Sequence, residues 1–91
     1  MNLVSAKQYT LLTFDASEPV ISAEATLKNN DITCVVMPLP TEIAASCGLA
    51  LKIWQKDTNA AIKLLTAKNL APTACFSAEK EGRKTKFEPI A

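Results

Sequence analysis

The sequence predicts an α+β fold: a four-stranded antiparallel sheet carrying two helices on one face. Three observations predict it. Four short apolar segments rich in β-branched and aromatic residues alternate with two stretches of helical spacing, in the order strand, helix, strand, strand, helix, strand. The chain has 91 residues, of which 48% are hydrophobic and 21% charged, enough for one domain with a modest core. A faint internal echo runs at a shift of 40, pairing Leu11 with Leu51, Phe14 with Trp54, Lys28-Asn29 with Lys68-Asn69, and Thr33 with Thr73. Two interleaved right-handed βαβ units with that repeat give the ferredoxin-like βαββαβ arrangement. The reading assigns it to residues 1–78 as a single domain and leaves 79–91 as a flexible C-terminal tail.

Each element has its own signal. "YTLLTF" (9–14) has a strand composition. "DASEP" then opens a helix, with Ser17 as N-cap and Glu18 and Pro19 in its first turn. Val20, Ala23 and Leu27 fall on one helical face beside a Glu24–Lys28 pair, and Asn29 and Asn30 are natural left-handed terminators. "ITCVVM" (32–37) reads as a buried strand, and "LALKIW" (49–54) alternates as a third. Leu49, Leu51 and Ile53 share the side facing the helices, which puts Ala50, Lys52 and Trp54 on an open face suited to a homodimer or partner contact. Asp57 or Thr58 caps the second helix, which runs through Ala61, Leu64 and Leu65 and closes at Asn69 before Pro72. "TACFSA" (73–78) supplies the fourth strand, and "RKTK" in the tail reads as a solvated charge run.

Composition excludes several classes of function. A net charge of +1 and sparse aromatics give no platform for nucleic acid. No run approaches a membrane span, and the start "MNLVSAKQYT" lacks a secretion-signal pattern, so the expected location is the cytoplasm. The chain has no histidine and only three widely spaced cysteines, which argues against a structural zinc site and against every imidazole-dependent nucleophile. Neither glycine belongs to a phosphate-cradling motif, and no cofactor is expected.

The chemistry that remains is thiol chemistry. Cys34 and Cys75 sit inside apolar strand segments, where a cysteine acts as a small hydrophobe. Cys47 differs: in "MPLPTEIAASCGLALK" (37–52), two prolines lead into a short run that Thr41 can cap. Gly48 follows Cys47 and permits a left-handed or crowded backbone. The reading makes Cys47 a solvent-facing thiol at a corner, with Ser46, Gly48 and nearby amides as donors and Lys52 as the cation that lowers its pKa. The alternative is that Gly48 serves the turn and Cys47 fills space beneath it.

"PLPTEIAASCGLAL" (38–51), preceded by "YTLLTF" and a helix, resembles the small bacterial domains of the putative selenium/sulfur carrier protein-like family, over roughly residues 8 to 78. The family's cysteine falls on Cys47, its glycine on Gly48 and its preceding serine on Ser46. The resemblance implies a carrier rather than a stand-alone enzyme. Its thiol would take a persulfide or selenopersulfide from a donor protein and hand it to an acceptor. Thr41 stands where the family often carries a basic residue, and Ala44 where it has a serine, which puts anion binding by those positions in question here. Two other functions fit the same residues: a non-catalytic ferredoxin-like binding or dimerisation module, and a redox sensor in which Cys47 is reversibly oxidised.

Overall fold

The computed structural model describes residues 3–39 and 48–90. After a short 3₁₀ turn (Leu3–Ser5) come β1 (Gln8–Thr13), α1 (Ser17–Asn29), β2 (Cys34–Pro38), β3 (Leu49–Ile53), a second 3₁₀ turn (Gln55–Asp57), α2 (Thr58–Ala67), β4 (Ala74–Glu81) and β5 (Lys84–Pro89). The strands form one five-stranded sheet in the order β2-β3-β1-β4-β5, with every neighbouring pair antiparallel.

This overturns the four-stranded ferredoxin-like expectation. The segment assigned to a tail supplies the end of β4 and the whole of β5. Its local chemistry explains why. Glu81 pairs with Lys84 across the two residues Gly82 and Arg83, and Gly82 has φ +62. A left-handed glycine in the first central position is the two-residue hairpin turn that matches strand twist. Beyond it Lys84, Lys86 and Glu88 point to solvent, while Thr85 and Phe87 are half-buried. That is the alternation of a strand with one wet face. Phe87 lies opposite Ala78, and the Ile90 amide extends the pairing by donating to the Cys75 carbonyl at 2.9 Å.

The helices cover one face of the sheet. Val20, Ala23 and Leu27 of α1 and Ala61 and Leu65 of α2 are buried against Leu12, Phe14, Cys34, Leu51 and Ile53. α1 carries the expected Glu24–Lys28 ion pair at 3.1 Å. Its N-cap residue is Ala16 rather than Ser17, and an alanine side chain has no atom with which to cap. At its C-terminus the left-handed residue is Asp31 (φ 61), one place beyond the asparagines. The Ile32 amide returns to the Leu27 carbonyl at 2.9 Å and the Asp31 amide to Lys28 at 3.2 Å, the double bond of a Schellman end. α2 closes in the same way with Asn69 (φ 58) in the left-handed position. Val20, Ala23, Leu27 and Asp31 thus correspond to Thr58, Ala61, Leu65 and Asn69, an offset of 38 rather than 40. Two of the pairs aligned at 40 lie on opposite faces: Leu11 and Trp54 are turned away from the helices, Leu51 and Phe14 towards them.

The second face is not open. The lead-in folds back so that Leu3 and Ala6 bury against Tyr9, Leu11, Ala50 and Ala78, with Val35, Met37, Trp54, Phe76 and Phe87 half-buried around them. β1 is therefore apolar on both sides, which is why "YTLLT" reads as a continuous buried run.

Candidate functional site

The residues on either side of the sequence-predicted thiol are held by the β2–β3 pair. Met37 lies opposite Ala50 and Pro38 opposite Leu49; one step further, the Leu39 amide donates to the Gly48 carbonyl at 2.9 Å. Pro38 has no N–H to give a ladder, and it sits at the end of an edge strand, where proline is tolerated. Thr41, Ser46 and Cys47 belong to residues 40–47, outside the described residues. The fold fixes the two ends from which that segment leaves the sheet.

The same end of the sheet receives other elements. Thr13, the last residue of β1, lies between Ala50 of β3 and Ala74 of β4, and its hydroxyl donates to the Ala74 carbonyl at 3.3 Å. α1 begins four positions later, at Ser17, so its N-terminus and the anchor of residues 40–47 share one end of the molecule. The first turn of a helix carries partial positive charge from its free amides.

Two sequence expectations change. Gly48 is exposed, its φ lies outside the left-handed range, and a Cβ placed on it would meet none of the described residues within 4 Å. Its backbone is not left-handed, and no described residue crowds it. Lys52 is in β3 but four residues from Gly48, roughly 13 Å along an extended strand. It is 8% exposed, and its Nζ lies 4.2 Å from the centre of the Tyr9 ring, towards the opposite end of the sheet. Burial, and secondarily the nearby Lys80 ammonium, holds the Lys52 pKa below its ordinary value. Gly48 and Lys52 are thus not brought together.

The other two thiols are held in their protonated form. Cys34 is 5% exposed, and its Sγ donates to the Glu24 carbonyl at 3.7 Å. Burial pushes its pKa up; Lys28 offsets this in part and the Glu24 carboxylate adds to it. Cys75, half-buried against the helix-side core, is likewise raised by burial. The positions differ as well. Cys34 opens β2 at the end remote from the loop anchor, while Cys75 stands near the anchor's end but in β4, with β1 between it and β3.

One concave feature was not legible in the sequence. An open cleft of about 760 Å³ lies at the end of the sheet opposite the loop anchor, lined by Ser5, Lys7, Gln8, Trp54, Gln55, Lys56, Glu79 and Lys80. Its residues come from three separate stretches of chain, 5–8, 54–56 and 79–80, so no local motif announces it. Trp54 was the only one of them that stood out, as an aromatic residue on the second sheet face.

No helix among the described residues is long and apolar enough to cross a membrane. The model of one protein family, described as "Putative Se/S carrier protein-like", matches residues 9–77. No curated protein and no solved structure matches the chain.

Proposed function

The chain belongs to the Se/S carrier protein-like family, and from that premise we propose that Cys47 carries a sulfane sulfur or selenium between partner proteins. The family match over residues 9–77, a span that contains Cys47, carries this reading. The state of the other thiols supports it, since Cys34 and Cys75 are both shifted towards the unreactive protonated form.

The transfer needs only thiol exchange. The Cys47 thiolate attacks the terminal sulfur of a donor persulfide, R–S–SH. A new S–S bond forms, the donor's S–S bond breaks, and the donor leaves as its thiolate. An acceptor nucleophile then takes the terminal sulfur and returns Cys47 as thiolate, so no external oxidant enters the cycle. A chain without histidine can do this, because the step requires ionisation and access rather than a general base. The described cation nearest in sequence, Lys52, is engaged over Tyr9. In this reading backbone amides stabilise the thiolate, and the N-terminus of α1, at the same end of the sheet as Pro38 and Leu49, adds partial positive charge.

Incubation with a cysteine desulfurase and cysteine tests the proposal. Mass spectrometry of the intact protein and its peptides should show a gain of about 32 Da, one sulfur, on Cys47 and not on Cys34 or Cys75. Equal loading of the three sites, or none on Cys47, rejects it. A covalent dimer on non-reducing gels that Cys47→Ser abolishes, without sulfur loading, assigns the residue to redox sensing instead.

A further inference from the structure

The cleft remote from the loop anchor has the make-up of a ligand site of its own. Its volume of about 760 Å³ is within the range of small-molecule pockets. Three of its eight lining residues, Lys7, Lys56 and Lys80, are cationic against one carboxylate, Glu79. That concentrates positive charge in one concavity of a chain whose net charge is only +1. Behind the rim, Lys52 adds a fourth ammonium close enough to Lys80 for the two to repel.

The backbone of the walls is fixed, while the Lys7, Lys56 and Lys80 side chains extend from it into solvent. The Lys80 amide donates to the Lys7 carbonyl at 2.7 Å, which carries the β1–β4 pairing past the start of β1 and sets the two lysines side by side. Gln55 Nε2 donates to Ser77 Oγ at 3.1 Å and to the Tyr9 carbonyl at 3.5 Å. Trp54 is half-buried, packed against the second core and contributing the rest of its surface to the cleft. Its carbonyl is held by the Asp57 amide at 3.0 Å. A fixed aromatic surface beside several ammonium groups binds a flat ring by stacking and an attached anion by charge.

We infer that this cleft binds a small aromatic anion of nucleoside-monophosphate size, its ring against Trp54 and its anionic group among Lys7, Lys56 and Lys80. The inference does not rest on the carrier reading, because it uses neither Cys47 nor any of residues 40–47, and the cleft lies at the opposite end of the sheet from Pro38 and Leu49.

Trp54 is the single tryptophan of the chain, so its fluorescence reports the cleft directly. Titration of the full-length protein with AMP, adenosine and inorganic phosphate as probes, followed by Trp54 emission and by amide chemical shifts, decides the matter. AMP should give a saturable change, with shifts at Gln8, Gln55 and Lys80, and adenosine and phosphate should each bind at least tenfold more weakly. The exposed-site double variant Lys56→Gln/Lys80→Gln should weaken AMP at least tenfold while its circular dichroism stays that of the parent. Cys47→Ser should bind AMP unchanged, which separates this result from the fate of the carrier proposal. Absence of a saturable AMP response overturns the inference, as does phosphate binding as tightly as AMP. Saturation by an acidic polypeptide such as polyglutamate in place of AMP overturns it too, and makes the cleft a protein-docking surface.

Discussion

Alkylation of the three thiols as a function of pH offers the sharpest test of how this fold distributes reactivity. The perturbation is iodoacetamide in limiting amount, applied from pH 6 to 9.5 to the folded protein and to the same protein in urea. An unperturbed thiol of pKa about 8.5 is roughly 3% thiolate at pH 7, and every unit of upward shift removes another factor of ten. Cys34 carries two penalties. Its pKa is raised, and at 5% exposure its sulfur reacts only when β2 opens from the sheet edge. An opening free energy of about 3–4 kcal/mol for an edge element keeps the open form below roughly one part in a hundred. In the open form the thiol has its ordinary pKa, so opening alone sets the protection at pH 7, and Cys34 should label roughly 150- to 1000-fold more slowly folded than in urea. Cys75 is half-buried and needs no such opening, so only its raised pKa slows it and it should fall between Cys34 and the unfolded rate. Peptide-resolved mass spectrometry gives the three rates from one sample. Labelling of Cys34 at pH 7 within tenfold of its unfolded rate, or a midpoint at or below that of the unfolded chain, would refute the reasoning. The linkage has a defined sign: a thiol whose folded pKa is raised contributes stability below about pH 8.5 and loses it as the pH climbs through the folded value.

The remaining predictions concern the elements that the structure corrected. Phe87→Ala, which removes a half-buried ring from β5, should cost about 1.5–2.5 kcal/mol in urea unfolding, roughly half of a fully buried Phe→Ala; a change within 0.5 kcal/mol would mean that β5 does not pack. Gly82→Val should cost about 1–2 kcal/mol because its φ is +62, whereas Gly48→Ala should stay within about 0.5 kcal/mol, since its φ is not left-handed and a Cβ meets none of the described residues. The two values from the same denaturation assay must differ in that direction. Lys52, whose folded pKa is lowered chiefly by burial, opposes folding while charged, and that penalty fades as the pH rises through its folded value towards about 10.4. The stability gained by Lys52→Met should therefore be larger at pH 7 than at pH 10.5, and a gain that grows with pH would contradict the assignment.

Local chemistry made much of this fold legible. The 3.6-residue spacing of Val20, Ala23 and Leu27 defined the buried face of α1, and the period-2 alternation of Leu49, Leu51 and Ile53 identified the side of β3 that meets the helices. The order of the first six regular elements followed from such patterns. The repeat was misjudged by two residues, because identities at a shift of 40 were weighed above equivalent burial at 38. A shift of 40 pairs Leu11 with Leu51 even though they serve different cores. β5 was missed because its outward residues are charged and its inward ones are few. Gly82 next to Arg83 is the local signal for the hairpin turn that leads into it.

The sequence by itself determined the family, the helices and strands up to β4, and the contrast between two strand-borne cysteines and one beside a glycine. Those are properties of neighbours along the chain. Tertiary structure alone decided that the lead-in covers the second face, that Lys52 is spent on Tyr9 rather than stationed beside Gly48, and that lysines 7, 56 and 80 converge with Trp54 on one cleft. Each depends on strand register and on which elements meet at a given end of the sheet. Those are set by burial summed over the whole molecule, so no short stretch of sequence contains them.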